Sequence, residues 1–220
     1  MNPESISLYA ILDPRFLRGR DLVEVARALV RGGATCLQLR DKEASSRDLY
    51  EEARLLKASL RSLGIPFIVN DRLDIALTVD ADGVHLGEED IPISEARRIL
   101  GKGKILGASA DTVEAATGAA REGADYIGFG AVFPTGTKED AQISGLALLS
   151  RVKQAVSIPV VAIGGIKRSN ALEVLNAGAD GLAIISDLLE AEDVEARARE
   201  FQGLIAQHRT GRYRDFLSRP

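Results

Sequence analysis

The chain has 220 residues, of which 45% are apolar and 27% charged, and its net charge is −4. These values are typical of a globular chain, and the length suits one domain with a large core. Acidic and basic residues are interspersed, which argues against a nucleic-acid-binding surface or a basic membrane-binding face. No apolar run approaches the ~18 residues that cross a bilayer. Any anion must therefore be bound by a local cluster of residues.

The only cysteine, Cys36, lies in an apolar run and has no second cysteine with which to form an internal disulfide. We expect a buried structural thiol, because free cysteine is among the most buried residue types. A chain without a disulfide framework fits the cytosol, so we expect a cytoplasmic protein. The first residues, MNPESISLYAILD, lack the basic segment and long apolar core of a secretory signal.

Along the chain, apolar segments of strand length alternate with amphipathic helical segments. The predicted strands are residues 7–13, 35–40, 66–71, 83–87, 104–109, 126–133, 159–165 and 181–186. The predicted helices include residues 21–33, 45–64, 94–101, 112–123, 146–156 and 169–178, with a last helix from about 193 to 207. Most of the strands are apolar throughout, which is typical of parallel strands covered on both faces.

Boundary residues support this division. Short polar side chains suited to cap helix N-termini are Ser45, Ser94, Asp111 and Ser169. Glycines placed to end helices in a left-handed conformation are Gly33, Gly64, Gly123 and Gly178. Four segments share one form, a turn that leads into a strand: GGATCLQL, ADGVHL, GADYIGF and GADGLAI. The sequence therefore indicates one βα unit that is repeated along the chain.

Eight such units favour an α/β fold of one domain, a closed (β/α)8 TIM barrel with eight parallel strands. A doubly wound open sheet is the alternative, and it usually has fewer strands. We place the barrel in residues 1–208 and a basic C-terminal tail, outside the repeat, in residues 209–220. The sequence leaves open whether this tail packs on the barrel, packs on a partner chain or is disordered. The sequence also leaves open whether the protein forms a homo-oligomer.

In such a barrel the active site lies where the strands end and the βα loops begin. Polar residues at the predicted strand ends include Asp13, Gln38, Arg40, Lys42, Asn70, Asp71, Glu88, Glu89, Asp90, Ser109, Thr135, Thr137, Lys138 and Ser186. Loops are generally polar, and this explains any one of these residues alone. A set so rich in ligands for anions and metals favours a binding site instead.

Three groups of residues carry this hypothesis. Asp71 and Asp90 end adjacent strands, so their carboxylates could converge on Mg²⁺, which commonly takes one or two protein carboxylates. Alternatively, each caps a helix or lies in a solvated turn. Arg40, Lys42 and Lys138 could hold a diphosphate opposite the metal, although each alone would be an ordinary solvated cation.

The third group follows strands seven and eight, where this fold commonly binds phosphate through backbone N–H groups. It comprises Gly164, Gly165 and Ile166 after strand seven and Ile185, Ser186 and Asp187 after strand eight. The sequence thus predicts a monophosphate site and a metal-assisted diphosphate site across one barrel mouth. Diphosphate beside Mg²⁺ is usually a leaving group, which predicts that one substrate displaces diphosphate from another. His85 lies within strand four, where a core or supporting role is expected rather than that of a catalytic base.

These residues belong to motifs that, in this order, are highly specific: QLRDK at 38–42, ND at 70–71, DGVHLGEED at 82–90, GAS at 107–109, GADYIGFGAVFPTGTK at 123–138, PVVAIGGI at 159–166 and ADGLAIIS at 179–186. Through them the chain resembles the thiamine phosphate synthase family over about residues 7–205. The family joins the pyrimidine and thiazole halves of thiamine.

The resemblance implies a role for each matching residue. It implies that the pyrimidine diphosphate is bound by Gln38, Leu39, Arg40, Asp41, Lys42, Asn70, Ser109 and Lys138. It implies that the thiazole phosphate is bound by Thr135, Gly136, Thr137, Gly165, Ile185 and Ser186. Mg²⁺ would be held by Asp71 and Asp90, and the catalytic residues would be Arg40, Ser109 and Lys138. The implied partners are therefore two small phosphorylated substrates, with neither nucleic acid nor membrane.

The implied reaction is a dissociative loss of diphosphate from the aminopyrimidine, followed by attack of the thiazole nitrogen. CO₂ is also lost if the thiazole carries a carboxyl group. Two departures from the family pattern are Glu88 in place of the usual Gln and Leu12 in place of the usual Thr. Rival interpretations are a thiazole tautomerase, which needs neither diphosphate nor Mg²⁺, and a catalytically silent barrel that binds phosphate ligands.

Overall fold

The computed structural model describes residues 1–136 and 143–217. Its centre is a closed barrel of eight parallel strands that follow one another around the barrel in chain order. The strands are β1 (Leu8–Leu12), β2 (Cys36–Leu39), β3 (Phe67–Asn70), β4 (Gly83–Leu86), β5 (Ile105–Ala110), β6 (Tyr126–Phe129), β7 (Val160–Ile163) and β8 (Gly181–Ile184). β8 closes the barrel on β1, with Leu8 opposite Leu182. The predicted (β/α)8 barrel is confirmed.

Helices alternate with the strands and cover the barrel. They are α1 (Leu22–Arg31), α2 (Ser46–Leu60), α3 (Leu73–Thr78), α4 (Ile93–Leu100), α5 (Val113–Glu122), α6 (Gly145–Ala155), α7 (Ala171–Asn176), α8 (Ser186–Leu189) and α9 (Val194–Leu217). Two 3₁₀ helices, Pro3–Ile6 and Pro14–Phe16, flank β1. α3 and α8 are absent from the prediction, because helices of six and four residues are too short to display a clear period.

The helix boundaries test the capping residues. The Ser45 hydroxyl accepts a hydrogen bond from the Asp48 N–H at 3.2 Å and caps α2 as predicted. The other three predicted caps are wrong by one or two residues. The N-cap residues of α4, α5 and α7 are Pro92, Thr112 and Asn170. The four predicted glycines all have positive φ angles.

The C-terminal boundary is also different from the prediction. α9 does not end near residue 207 but continues through Leu217, so the helix includes most of the segment predicted to lie outside the repeat. Arg209, Thr210 and Gly211 follow His208, and these three residues interrupt the apolar pattern of the helix. Glycine also has a low helix propensity, so the sequence favours a helix end near this point.

The core lies between the barrel and its helices. Strand side chains such as Leu8, Leu37, Val84 and Leu182 are completely buried, as expected for parallel strands covered on both sides. Cys36 is also completely buried, and burial raises the pKa of its thiol. The predicted structural thiol is confirmed.

The N-terminal ends of the strands form what we call the lower end of the barrel, where one arrangement recurs. The Asp180 carboxylate, just before β8, accepts the Val160 N–H of β7 at 2.8 Å. It also accepts a hydrogen bond from Lys153 Nζ of α6 at 2.6 Å. The same arrangement is formed by Asp125 with Leu106 and Arg97, and by Asp82 with Phe67 and Lys57. Each aspartate ties a strand to its neighbour and to a helix.

Thr35 has the corresponding position before β2. Its hydroxyl accepts the Leu8 N–H of β1 at 3.1 Å, as the carboxylates do in the other units. The element before β1 in the described residues is the short 3₁₀ helix Pro3–Ile6, whereas α2, α4 and α6 supply the cations of the other units. The four similar segments in the sequence therefore share a structural task, which is to fasten the lower end of the barrel.

Candidate active site

The C-terminal ends of the strands form the upper end of the barrel, where Arg40 is held in place by Asp13. Asp13 ends β1 and is 1% exposed, and its Oδ2 accepts a hydrogen bond from Arg40 Nη1 at 2.6 Å. Arg15 donates to both Asp13 oxygens, at 3.0 and 2.8 Å. Burial by itself would raise the pKa of Asp13, but the Arg15 hydrogen bonds and the two guanidinium charges lower it. The carboxylate therefore stays ionised and fixes Arg40.

The next pair of strands brings a cation to the predicted metal carboxylates. Lys42 Nζ lies 2.7 Å from Asp71 Oδ2. The Asp71 backbone has a φ of 60°, a left-handed conformation that aspartate tolerates better than most residues. Its N–H donates to the His85 carbonyl on β4 at 2.8 Å. The end of β3 is thus anchored to the neighbouring strand.

Asp90 lies close enough to Asp71 for the two carboxyl groups to interact. Its Oδ2 accepts the Gly87 N–H at 2.7 Å, which folds the loop after β4 back on itself. The pKa of Asp90 is raised, first by burial and then by the negative charge of Asp71. Two carboxylates that repel each other favour a bound cation.

These two carboxylates also match the number that Mg²⁺ commonly takes from a protein. Among residues 1–136 and 143–217, no group of three or more His, Cys, Asp or Glu side chains could hold a metal ion. The donor set therefore fits a hard cation that fills its remaining positions with water and substrate oxygens. It does not fit a zinc site, which takes three or four protein ligands.

Five polar side chains form a hydrogen-bonded chain across the interior of the barrel. Gln38 Nε2 donates to Tyr9 Oη at 2.9 Å, and Tyr9 Oη lies 2.8 Å from Tyr126 Oη. Tyr126 Oη lies 3.0 Å from His85 Nδ1. His85 Nε2 lies 3.0 Å from Ser109 Oγ. The chain joins β2, β1, β6, β4 and β5, and its two ends are predicted substrate ligands.

Two glycines make room for this chain. A Cβ atom at Gly107 would collide with the Tyr126 hydroxyl and lie 2.5 Å from His85 Nδ1. A Cβ atom at Gly128 would lie 2.8 Å from His85 Cε1. Burial lowers the pKa of His85 to about 4, against the opposite effect of the Asp71 charge. The imidazole is therefore neutral near pH 7, with one nitrogen that donates and one that accepts.

The third side of the mouth is built from β6, β7 and β8. The Phe133 N–H donates to the Gly164 carbonyl at 3.1 Å, so the loop after β6 runs against the double glycine. A Cβ atom at Gly165 would collide with the Pro134 carbonyl, which is why the loops approach closely only with glycine there. Ser186 begins α8 directly after β8. Thr137 and Lys138 lie outside the described residues.

Not every predicted ligand turns its side chain to the mouth. Leu39 is completely buried in the core, so only its backbone is available to a ligand. Asp41 accepts the N–H groups of Glu43 and Ala44 at 2.9 and 3.0 Å, and thereby orders its own loop. Glu88, the departure from the family pattern, is exposed.

The chain was compared with known proteins. A family model described as thiamine monophosphate synthase matches residues 8–188. The chain belongs to the thiamine monophosphate synthase family. Over 203 residues it is 52% identical to a thiamine-phosphate synthase from Methanocella arvoryzae, covering 92% of this chain and 96% of that protein. Another, from Syntrophomonas wolfei, is 49% identical over 197 residues and covers 89% of this chain and 94% of that protein.

A solved structure agrees with these relatives. Thiamine phosphate pyrophosphorylase from Pyrococcus furiosus is 44% identical and superposes with a TM-score of 0.86, covering 94% of this chain and 98% of that one. This member of the thiamine monophosphate synthase family is therefore an enzyme of thiamine biosynthesis, a transferase. Within the part of the chain that the structure describes, no helix has the length and apolar character to span a bilayer.

Sequence reasoning missed several residues that shape the site of this family member. Asp13 was among the strand ends but was not connected with Arg40, which is 27 positions away. Tyr9 and Tyr126 were read only as apolar strand residues. Glycines inside strands were the available signal, because an isolated strand glycine often marks a place where another group approaches closely.

Proposed function

We propose that the chain is a thiamine phosphate synthase. It would join 4-amino-2-methyl-5-hydroxymethylpyrimidine diphosphate to 4-methyl-5-(2-hydroxyethyl)thiazole phosphate, or to the carboxylated form of that thiazole. The products would be thiamine phosphate and diphosphate, with CO₂ from the carboxylated substrate. The observation that carries the proposal is the arrangement of Arg40, Lys42, Asp71 and Asp90 at one side of the mouth of a barrel of this family.

The diphosphate would lie between the cations and the metal carboxylates. Arg40 is 15% exposed and keeps its orientation through Asp13, so it can offer its remaining N–H groups without reorganisation. Lys42 is 54% exposed and can leave Asp71 for a phosphate oxygen. Lys138 is proposed as a further cation from the loop after β6. Such fixed charges stabilise the negative charge that develops on the leaving group.

Asp71 and Asp90 would hold Mg²⁺, which when bound neutralises phosphate charge. Burial and the charge of Asp71 raise the pKa of Asp90, and a bound cation would offset the charge of Asp71. The aminopyrimidine would lie over Gln38, Asn70 and Ser109, at the ends of β2, β3 and β5. Gln38 is 2% exposed, so it is held firmly enough to orient a planar ring.

The thiazole phosphate would occupy the opposite side of the mouth. Its proposed ligands are Thr135, Gly136, Thr137, Gly165, Ile185 and Ser186. The close approach of the loop after β6 to the double glycine supports a site for a compact anion there. The thiazole ring would then lie across the mouth from the pyrimidine.

The bond changes in the proposed reaction need no protein nucleophile. The bond between the pyrimidine methylene carbon and the diphosphate oxygen breaks, and its electron pair leaves with the diphosphate. The lone pair of the thiazole nitrogen then forms the new carbon–nitrogen bond. The side chains bind both substrates in register and exclude solvent, so positioning and electrostatic stabilisation account for the rate. We propose that Arg40, Ser109 and Lys138 contribute through positioning and electrostatic stabilisation.

The experiment combines the purified chain with both substrates and Mg²⁺ and detects thiamine phosphate as its thiochrome. We expect product only when both substrates and the metal are present, and none after EDTA. Folded protein that binds the thiazole phosphate but forms no product would favour the tautomerase or the silent binder. Conversion between thiazole tautomers without Mg²⁺ would identify the first of these. A cytoplasmic location is part of the same proposal, and the buried free Cys36 supports it.

A further inference from the structure

We infer that Tyr9, Tyr126 and His85 are positioning residues that fix Ser109 as a hydrogen-bond donor to the substrate. The inference deepens the proposed function and depends on it for the identity of that substrate. It rests on the continuous set of contacts from Gln38 to Ser109, whose four separations are 2.9, 2.8, 3.0 and 3.0 Å. Of the three middle side chains, Tyr9 and Tyr126 are at most 2% exposed.

The first contact has a defined direction. Gln38 presents its Nε2 to Tyr9, and an amide nitrogen can only donate, so the Tyr9 oxygen accepts. Either partner could donate at the next two contacts by distance alone. The direction that we infer uses the Tyr9 proton for the Tyr126 oxygen and the Tyr126 proton for His85 Nδ1. Both tyrosines are at most 2% exposed, so water does not compete for these protons.

The direction continues through the imidazole to the serine. A neutral imidazole that accepts at Nδ1 carries its proton on Nε2. That proton faces Ser109 Oγ, which therefore accepts from the ring. The remaining serine proton is free to point at a substrate acceptor, such as a ring nitrogen or a diphosphate oxygen. If every bond were reversed, the serine proton would be used by His85 and Ser109 could only accept.

The surroundings suit a neutral ring. The two ring nitrogens contact the hydroxyl groups of Tyr126 and Ser109. A hydroxyl group can donate or accept, so both contacts fit a ring that accepts at one nitrogen and donates at the other. Gly107 and Gly128 leave the space beside the imidazole that a Cβ atom would occupy. A fixed donor in place of a rotating hydroxyl reduces the cost of reorganisation during the reaction.

The first test is the position of the imidazole proton, measured by ¹⁵N NMR on the unliganded chain. There are only two histidines, and a His208→Gln variant identifies the signals of His85. We expect Nε2 to be protonated and Nδ1 to be unprotonated. Tyr126→Phe removes the donor to Nδ1 and should produce a mixture of the two tautomers. A proton on Nδ1 in the parental chain would overturn the inference, whether or not any variant folds.

The second test is kinetic and uses matched tyrosine variants. Tyr126→Phe should lower kcat about 10-fold with little change in KM, the scale typical of residues that orient a ligand. Tyr9→Phe, one contact further away, should have a smaller effect. Tyr50→Phe, a half-buried tyrosine on α2, is the control and should leave kcat unchanged. Thermal unfolding of each variant would separate lost positioning from lost folding.

A double variant decides whether the effect passes through Ser109. Ser109→Ala combined with Tyr126→Phe should be no slower than Ser109→Ala alone. The serine proton that the series of hydrogen bonds orients is already absent from the single variant. Independent, multiplying losses would mean that Tyr126 acts in another way and would reject the inference. The NMR result needs no substrate. If the protein has the expected His85 tautomer but forms no product, the proposed function is rejected. The inferred direction of the hydrogen bonds is then unaffected.

Discussion

The two ends of the barrel use aspartates in opposite ways. At the lower end, Asp180 has a backbone N–H and a lysine as partners, and it ties together elements that are already packed. At the upper end, Asp71 and Asp90 also have partners, Lys42 and the Gly87 N–H, but the two carboxylates interact with each other as well. The pKa of Asp90 is raised by burial and by the charge of Asp71. An isolated, paired carboxylate stabilises a fold, whereas two neighbouring carboxylates are suited to a cation. Stability and catalysis should therefore separate along the barrel axis.

The strongest way to sharpen this comparison is Asp71→Asn at the upper end. We expect a loss of more than about 100-fold in kcat/KM, since a proposed metal ligand is removed and even supporting residues of metal sites change activity 10- to 100-fold. The melting temperature should hardly fall, because asparagine also tolerates the left-handed backbone and the repulsion with Asp90 is relieved. Steady-state kinetics and thermal unfolding measure both effects.

The control for that variant is Glu89→Gln, which removes an exposed carboxylate from the same loop as Asp90. It should retain the parental activity. If Asp71→Asn and Glu89→Gln were equally active, the assignment of Asp71 to the metal would be wrong.

At the lower end, Asp180→Ala should have the opposite profile. It leaves the Val160 N–H and Lys153 without their partner and should cost about 2 kcal/mol in the free energy of unfolding, or roughly 4–8 °C in melting temperature for a chain of this size. Turnover per folded molecule should stay within about twofold. Asp180→Asn, which keeps an oxygen for the N–H, should lose less stability. A specific loss of turnover would break the proposed separation of the two ends.

A third change tests charge repulsion near the upper end without touching a proposed ligand. Glu52 lies on α2, and burial followed by the charges of Asp41 and Asp48 raises its pKa to about 7. Among the described residues, its buried Oε2 has no hydrogen-bond partner. The folded pKa is above the unfolded value of about 4.3, so the folded chain takes up a proton first and gains stability as the pH falls from 8 towards 5.

Glu52→Gln should abolish that gain. At pH 8 the variant should be more stable than the parent by about 1 kcal/mol after allowance for solvent screening, and the difference should vanish near pH 5. Urea unfolding at both pH values measures the effect. A parent that is more stable than Glu52→Gln at pH 8 would contradict the raised pKa.

The smallest expected effect belongs to Thr35, the lower-end residue without a cation partner. Thr35→Val preserves the shape but removes the oxygen that accepts the Leu8 N–H, which should cost about 1 kcal/mol. The loss should be smaller than that of Asp180→Ala, since no ion pair is broken. Equal losses, measured by chemical denaturation, would mean that the lysine in the aspartate arrangement contributes nothing.

Much of the fold and the site could be predicted from the sequence. Strand segments such as residues 35–40 and 181–186 were recognisable because they are apolar and bounded by turn residues, and both properties are local. Asp71 and Asp90 could be placed together because parallel strands in a barrel all end at one side, and consecutive strands are neighbours. The end of α9 was missed because Arg209, Thr210 and Gly211 interrupt the apolar pattern after His208.

The sequence by itself determined the order of the strands and the family, and it predicted which residues bind the substrates. Only the tertiary structure decided which side chains meet across the interior. Tyr9 and Tyr126 are 117 positions apart, and their contact exists because the barrel closes and because Gly107 and Gly128 leave the space empty. Hydrogen-bond partners on opposite strands leave no period in the sequence, since their approach depends on barrel closure and on the volume of every neighbour.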